Sequence, residues 1–221
     1  MCIVLLLAPA LFGGIFTDAR YILYDGSDPE FSGVYAIGEA FLPPSVRIQP
    51  LKAAKDAVVV AVDTIADAAF NDQIGAVASS SVVNWTEPLS SDFNRVRAKL
   101  RGAPLGTAGA LSTGLEAARL ELLSGNARAA ARKMIVMVTD GKSDPTDVLN
   151  QIQMARDAGM TVHVIGVGTN LDVALLDQMA ATGGGTSVQI DAGKPKWIYA
   201  PELQTALASV ASNQIAFSLI R

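Results

Sequence analysis

Two aspartates stand directly after apolar runs in this sequence. The first follows Ile22-Leu23-Tyr24 and opens Asp25-Gly26-Ser27-Asp28-Pro29; the second follows Met134-Ile135-Val136-Met137-Val138-Thr139 and opens Asp140-Gly141-Lys142. A carboxylate at the end of a buried strand is costly unless it is hydrogen-bonded, solvated or bound to a cation. Two that converge on one edge repel each other, and a divalent ion removes the repulsion. Hydroxyls at Ser27, Thr107 and Thr139 add neutral oxygen donors, completing the hard donor set that suits Mg²⁺, Mn²⁺ or Ca²⁺. Other chemistries lack parts. One cysteine, Cys2, and one histidine, His163, exclude an intrachain disulfide and a zinc cluster, and a Cys-His dyad too unless Cys2 lies in the fold. His163 sits within an apolar run and reads as a satisfied core residue. Asp25 as the nucleophile of a metal-dependent hydrolase or phosphotransfer enzyme is a further reading. Phosphatases of that kind carry a second acid two residues on, where this chain has Ser27, and no general base can be assigned.

These residues need a framework to bring them together. At roughly 150 residues per domain, 221 residues correspond to one α/β domain. An apolar fraction of 50% with 17% charged residues excludes a disordered chain, which could not bury enough surface to offset its ordering entropy. With 17 Lys and Arg against 21 Asp and Glu, the net charge of −4 offers no cation excess to displace phosphate counterions, so nucleic acid is excluded as the expected partner.

From residue 17 onward, strand-like runs alternate with helical patterns, which predicts a mostly parallel, doubly wound sheet with helices on both faces. The expected strands are Ala19 to Tyr24, Gln73 to Ser80 with a hairpin partner near Asn84 to Thr86 at the sheet edge, Lys133 to Thr139, Met160 to Val167 and Ser187 to Ile190. Gly, Pro and Ser make residues 25–45 an irregular connection. Helices are expected from about Val46, burying Leu51, Ala54, Val58, Val62, Ile65 and Ala69; at Asp92 to Leu100; and from Ala108 to Leu123. Three more start behind Asp144 with Pro145 in first position, behind Asn170, and at Pro201-Glu202. Gly183-Gly184-Gly185 follows a helix and leads into a strand, the reverse of a phosphate loop, and reads as a helix stop. Met134, Met137, Met154, Met160 and Met179 read as core filling, and Trp197 and Tyr199 as anchors of the loop before the last helix.

Residues 1–16 are set apart from the domain at 17–221. Cys2 to Phe16 is uncharged, shorter than the roughly 20 residues of a membrane span, and has no Lys or Arg before it. Export or membrane attachment through this segment, and a buried core strand or helix, both fit it.

The order of these pieces resembles a von Willebrand factor type A domain: a strand leading to Asp25-Gly26-Ser27, the helix RIQPLKAAKDAV, the strand QIGAVASSS, Gly106-Thr107 opening GTAGALSTGLEAA, then KMIVMVTDG and MTVHVIGVGTN. The resemblance extends over residues 19–221, with Thr139-Asp140-Gly141 its most specific element, and is nearest to bacterial versions attached to tight-adherence (Flp-type) pilus systems. It implies a Rossmann-like α/β architecture and a metal-ion-dependent adhesion site. By position, the metal residues are Asp25, Ser27, Thr107 and Asp140. Pro29 stands where the family's motif has its second serine, so the site is degenerate and its Mg²⁺ (or Mn²⁺ or Ca²⁺) weakly held or absent.

The resemblance further implies a non-enzymatic binding or adhesion module in the cell envelope or secreted, with a cytoplasmic location still open. Its partner is a protein presenting an Asp or Glu, whose carboxylate replaces a water on the ion. The alternative is a metal-independent interaction scaffold of the same fold with a decayed metal site.

Overall fold

The computed structural model describes residues 2–7, 49–67, 72–79, 83–101, 111–139, 143–168, 170–192, 194 and 196–218. The short apolar runs become β1 (Cys2–Leu7), β2 (Gln73–Ser79), β3 (Val83–Ser90), β4 (Lys133–Thr139), β5 (Met160–Gly168) and β6 (Gly184–Asp191). They form one sheet in the order β3-β2-β1-β4-β5-β6. Every pairing is parallel except β2 with β3, an antiparallel pair at one edge. The amphipathic segments become α1 (Gln49–Asp67), α2 (Phe93–Arg101), α3 (Leu111–Leu123), α4 (Pro145–Asp157), α5 (Val173–Gly183) and α6 (Lys196–Ser218). No described helix is long and apolar enough to cross a membrane.

Alternation along the strands divides the core into two layers. Met134, Val136 and Val138 of β4 meet α1, α2 and α6 through Ala54, Val58, Val62, Leu100, Leu203 and Leu207. Ile135 and Met137 meet α3, α4 and α5 through Leu115, Leu122, Ile152, Leu176 and Met179. The doubly wound sheet expected from sequence is thus present, helices on both faces.

Of the two readings open for the amino-terminal segment, the structure shows the core strand. Cys2–Leu7, placed with residues 1–16 outside the domain, pairs along its length with β2 on one side and β4 on the other. Six consecutive apolar residues including Ile3 and Val4 match the composition of a strand covered on both faces, and six is strand length rather than span length. The strand expected at Ala19 to Tyr24 lies outside the described residues.

Three other boundaries move for identifiable reasons. The carboxylate of Asp172, not Asn170, caps α5 by accepting the Leu175 N–H at 3.0 Å. β6 begins at Gly184, directly after α5, because Gly184 takes the left-handed conformation (φ 66°). Gly185 then passes so close to the Val162 carbonyl that a Cβ there would lie 2.1 Å from its oxygen. Finally, α6 starts at Lys196 and carries Pro201 inside it. Tyr199, Leu203 and Leu207 are all buried on one stripe at four-residue spacing. That stripe extends helical packing back across a proline that costs about 3 kcal/mol in a helix interior, so Tyr199 belongs to the helix rather than to the loop before it.

Of the methionines read as core, Met134, Met137, Met160 and Met179 are buried, whereas Met154 is 46% exposed on α4.

Candidate functional site at the carboxyl rim of the sheet

Five parallel strands bring their carboxyl ends to one rim. The chain runs from β1 outward to β2 and β3, then crosses to the other side of β1 to form β4. The strand order therefore reverses between β1 and β4, where open α/β sheets form their ligand crevice. In register, Leu7 of β1 lies opposite Ala78 of β2 and Val138 of β4. Ser79 and Thr139 are each one residue further along, flanking the end of β1 at the same level. Both share the alternation of Val77 and Met137, which pack toward α3 and α4.

The rim hydroxyls are shielded from water: Ser79 is 1% exposed and Thr139 fully buried. Among the described residues Ser79 Oγ has no hydrogen-bond partner. A buried hydroxyl left unpaired costs on the order of 1–3 kcal/mol, a cost that a ligand accepting or donating there would relieve. Ser79 was missed from sequence. The signal was present in Ser79-Ser80-Ser81, a hydroxyl run closing a buried strand as Thr139-Asp140 does.

Two carboxylates near this rim are occupied with capping. Asp144 Oδ1 accepts the Thr146 N–H at 2.9 Å and the Asp147 N–H at 3.2 Å at the start of α4, as its sequence predicted. Asp172 does the same for α5. Each offsets the unpaired amides and positive end of its helix.

The four sequence-derived metal residues, Asp25, Ser27, Thr107 and Asp140, lie outside the described residues. Only Asp140 adjoins a described residue: β4 ends at Thr139, the residue before it, while α3 begins at Leu111, four residues after Thr107. By contrast, β1 ends at Leu7, followed in sequence by Ala8-Pro9-Ala10, and Asp25 comes eighteen residues after Leu7. Among the described residues no group of three or more His, Cys, Asp or Glu side chains could hold a metal ion.

His163 takes no part in this rim. It is buried on β5, where its Nδ1 accepts the Thr186 N–H at 3.2 Å and lies 2.9 Å from Thr186 Oγ1. Burial lowers its pKa below the ordinary 6.5 by penalising the charged form. The core reading of this histidine agrees with the structure.

The comparisons match this architecture. No curated protein matches the chain. Among solved structures, a conserved hypothetical protein BatB from Bacteroides thetaiotaomicron is similar at 16% identity with a TM-score of 0.67, over 98% of this chain and 99% of that one. The pilus adhesin SpaC from Lactobacillus rhamnosus GG, in an open conformation, is similar at 12% identity and TM-score 0.63, over 96% of this chain and 30% of that one. Proximal thread matrix protein 1 from the mussel byssus, with a zinc-occupied MIDAS motif, is similar at 16% identity and TM-score 0.55, over 93% and 45%. At such identities these structures establish the fold alone. The family model for the von Willebrand factor type A domain matches residues 44–194, which include Thr107 and Asp140 and begin after Asp25 and Ser27. That match spans more than half of the chain and agrees with the sheet order and helix placement: the chain belongs to the von Willebrand factor type A domain family.

Proposed function

We propose that this chain is a non-enzymatic protein-interaction module that engages its partner at the carboxyl rim. Thr107 and Asp140, joined by Asp25 and Ser27, hold a divalent cation, Mg²⁺ or in its place Mn²⁺ or Ca²⁺, and an Asp or Glu of the partner completes the coordination. The observation supporting this most is the position of β4: a buried strand at the switch point whose next residue is Asp140. Mg²⁺ needs only one or two carboxylates from its host and keeps several waters, so a partner carboxylate has a position to take. A pilus adhesin among the similar structures fits an envelope or secreted assembly, with pilus assembly as the narrower setting.

Isothermal titration of the full chain with Mg²⁺, Mn²⁺ and Ca²⁺ tests this reading. Binding by the parent and its loss in Asp140→Ala is the expected result; no heat with any of the three ions overturns it.

A second reading, a metal-independent scaffold, draws on a specific observation. β1 is Cys2–Leu7, its end is followed by apolar residues rather than by Asp-x-Ser, and the family match starts beyond Asp25. Partner capture that continues unchanged in EDTA decides for this reading; capture abolished by EDTA decides for the first.

A further inference from the structure

Among the described residues the sheet ends on β3 at one side and on β6 at the other, and the two edges differ in their protection. β3 carries Pro88, which has no N–H to offer, and two register irregularities against β2. Such devices discourage a further strand from adding to an edge. β6 has its irregularity near its start, and from Ser187 to Asp191 it pairs residue by residue with β5. That stretch holds no Pro, Lys or Arg.

The backbone of β6 faces alternately toward β5 and away from it. The Ala192 N–H goes to the Gly168 carbonyl of β5 at 3.2 Å, and the Thr186 N–H goes to His163 Nδ1, also on β5. Even-numbered positions therefore bond inward, and Ser187 and Gln189 turn N–H and C=O outward. Asp191, of the same outward series, gives its carbonyl to the Lys194 N–H at 3.3 Å. Side chains alternate as well. Gln189 Nε2 donates to Asp177 Oδ1 of α5 at 2.9 Å, which puts Ser187, Gln189 and Asp191 on the α5 face. Val188 and Ile190 pack in the layer of α6.

Opposite charges stand at the two ends of this edge, on that same α5 face. At the start, the exposed Arg156 of α4 lies against Gly184, where a Cβ would run into its guanidinium. At the far end is Asp191, exposed. Seven residues at roughly 3.3 Å each put about 23 Å between Gly184 and Asp191, too far for the two charges to meet within one chain. An antiparallel copy of the strand reverses the order and sets acid beside base at both ends.

We infer that β6 pairs antiparallel with β6 of a second copy of this chain, about a two-fold axis at Val188. Antiparallel pairing sets outward residues against outward residues, which allows centres at Ser187, Val188 or Gln189. A centre at Gln189 puts Asp191 opposite Ser187, three residues from Gly184, and a centre at Ser187 carries Asp191 past the strand to Gly183 of α5. The centre at Val188 sets Asp191 opposite Gly185, next to Gly184 and within reach of the other copy's Arg156. In this register Ser187 and Gln189 of opposite copies exchange N–H to C=O bonds, and the two Val188 side chains meet on the α6 face. The axis is perpendicular to the sheet, so each side chain keeps its face and the two carboxyl rims point in opposite directions. The pairing is independent of the metal reading.

Sedimentation velocity of the full chain over a concentration series, with amide hydrogen exchange at each concentration, tests the pairing. The expected result is a mass that rises from one chain to two while exchange at the Ser187 and Gln189 amides slows. Arg156→Glu and Asp191→Arg, both at exposed positions, each turn two ion pairs repulsive and should weaken the dimer about tenfold. Combined in one chain they should restore it, and with the residues at opposite ends of β6 only contact between copies can do so. Gln189→Pro removes an outward donor and should abolish the dimer. A dimer indifferent to Arg156→Glu, or a charge swap that fails to restore it, overturns the inference. A single-chain mass up to millimolar concentration overturns it too, leaving the edge to an extended segment of another protein.

Discussion

Ser79 and Thr139 close β2 and β4 at the same level, one on each side of β1, and both are buried. Among the described residues Ser79 Oγ is without a hydrogen-bond partner, so its hydroxyl is a cost to the fold. Ser79→Ala is expected to leave stability unchanged or raise it by about 1 kcal/mol, measured by urea unfolding in EDTA. A loss of that size instead would show that the hydroxyl is satisfied.

His163 should make stability depend on pH. Its folded pKa lies below the ordinary 6.5, so on acidification the unfolded chain takes up the proton first. Stability from this residue is complete above about 6.5 and falls as pH drops from there toward the folded value. Urea midpoints measured from pH 8 to pH 5 should therefore fall more steeply for the parent than for His163→Gln. Parallel curves would contradict the assignment of a neutral ring accepting from Thr186.

Asp144 and Asp172 cap α4 and α5 through backbone amides. Replacing either with Ala should cost about 0.5–2 kcal/mol. Asn170→Ala should stay within about 0.5 kcal/mol, as exposed substitutions outside such features do. Thermal unfolding of the three variants separates the observed cap from the one that sequence favoured.

Met137 and Met154 provide the corresponding test of the core. Met137 is fully buried and Met154 is not, so Met137→Ala should lose about 2–5 kcal/mol and Met154→Ala about 0.5 kcal/mol or less. Similar losses would place Met154 in the core after all.

The sheet was legible where strands are short apolar runs bounded by turn residues. Lys133–Thr139 matches its expected limits, and the β2–β3 hairpin sits at the predicted edge. What local patterns conceal is tertiary context. Cys2–Leu7 has the same composition as a secretory core segment, and only its two neighbouring strands distinguish them. Pro201 starts a helix by local rules, yet Tyr199 before it is buried on the stripe of Leu203 and Leu207. Asn170 and Asp172 are both good caps, and the choice depends on which side chain reaches the third amide of the helix. Asp25 and Asp140 stood out in the sequence because charge next to apolar runs is conspicuous. Ser79 did not, since a serine reveals its importance only when burial leaves its hydroxyl unpaired.

The central claim is that Asp25, Ser27, Thr107 and Asp140 share a cation at the carboxyl rim. Diffraction from crystals of the full chain soaked in Mn²⁺, using the ion's anomalous signal, tests it most directly. The account predicts a peak beyond the ends of β1 and β4, with oxygens of Asp140 and Thr107 at about 2.0–2.3 Å. A rim without a peak at saturating Mn²⁺, or residues 25, 107 and 140 on separate surfaces, would contradict it.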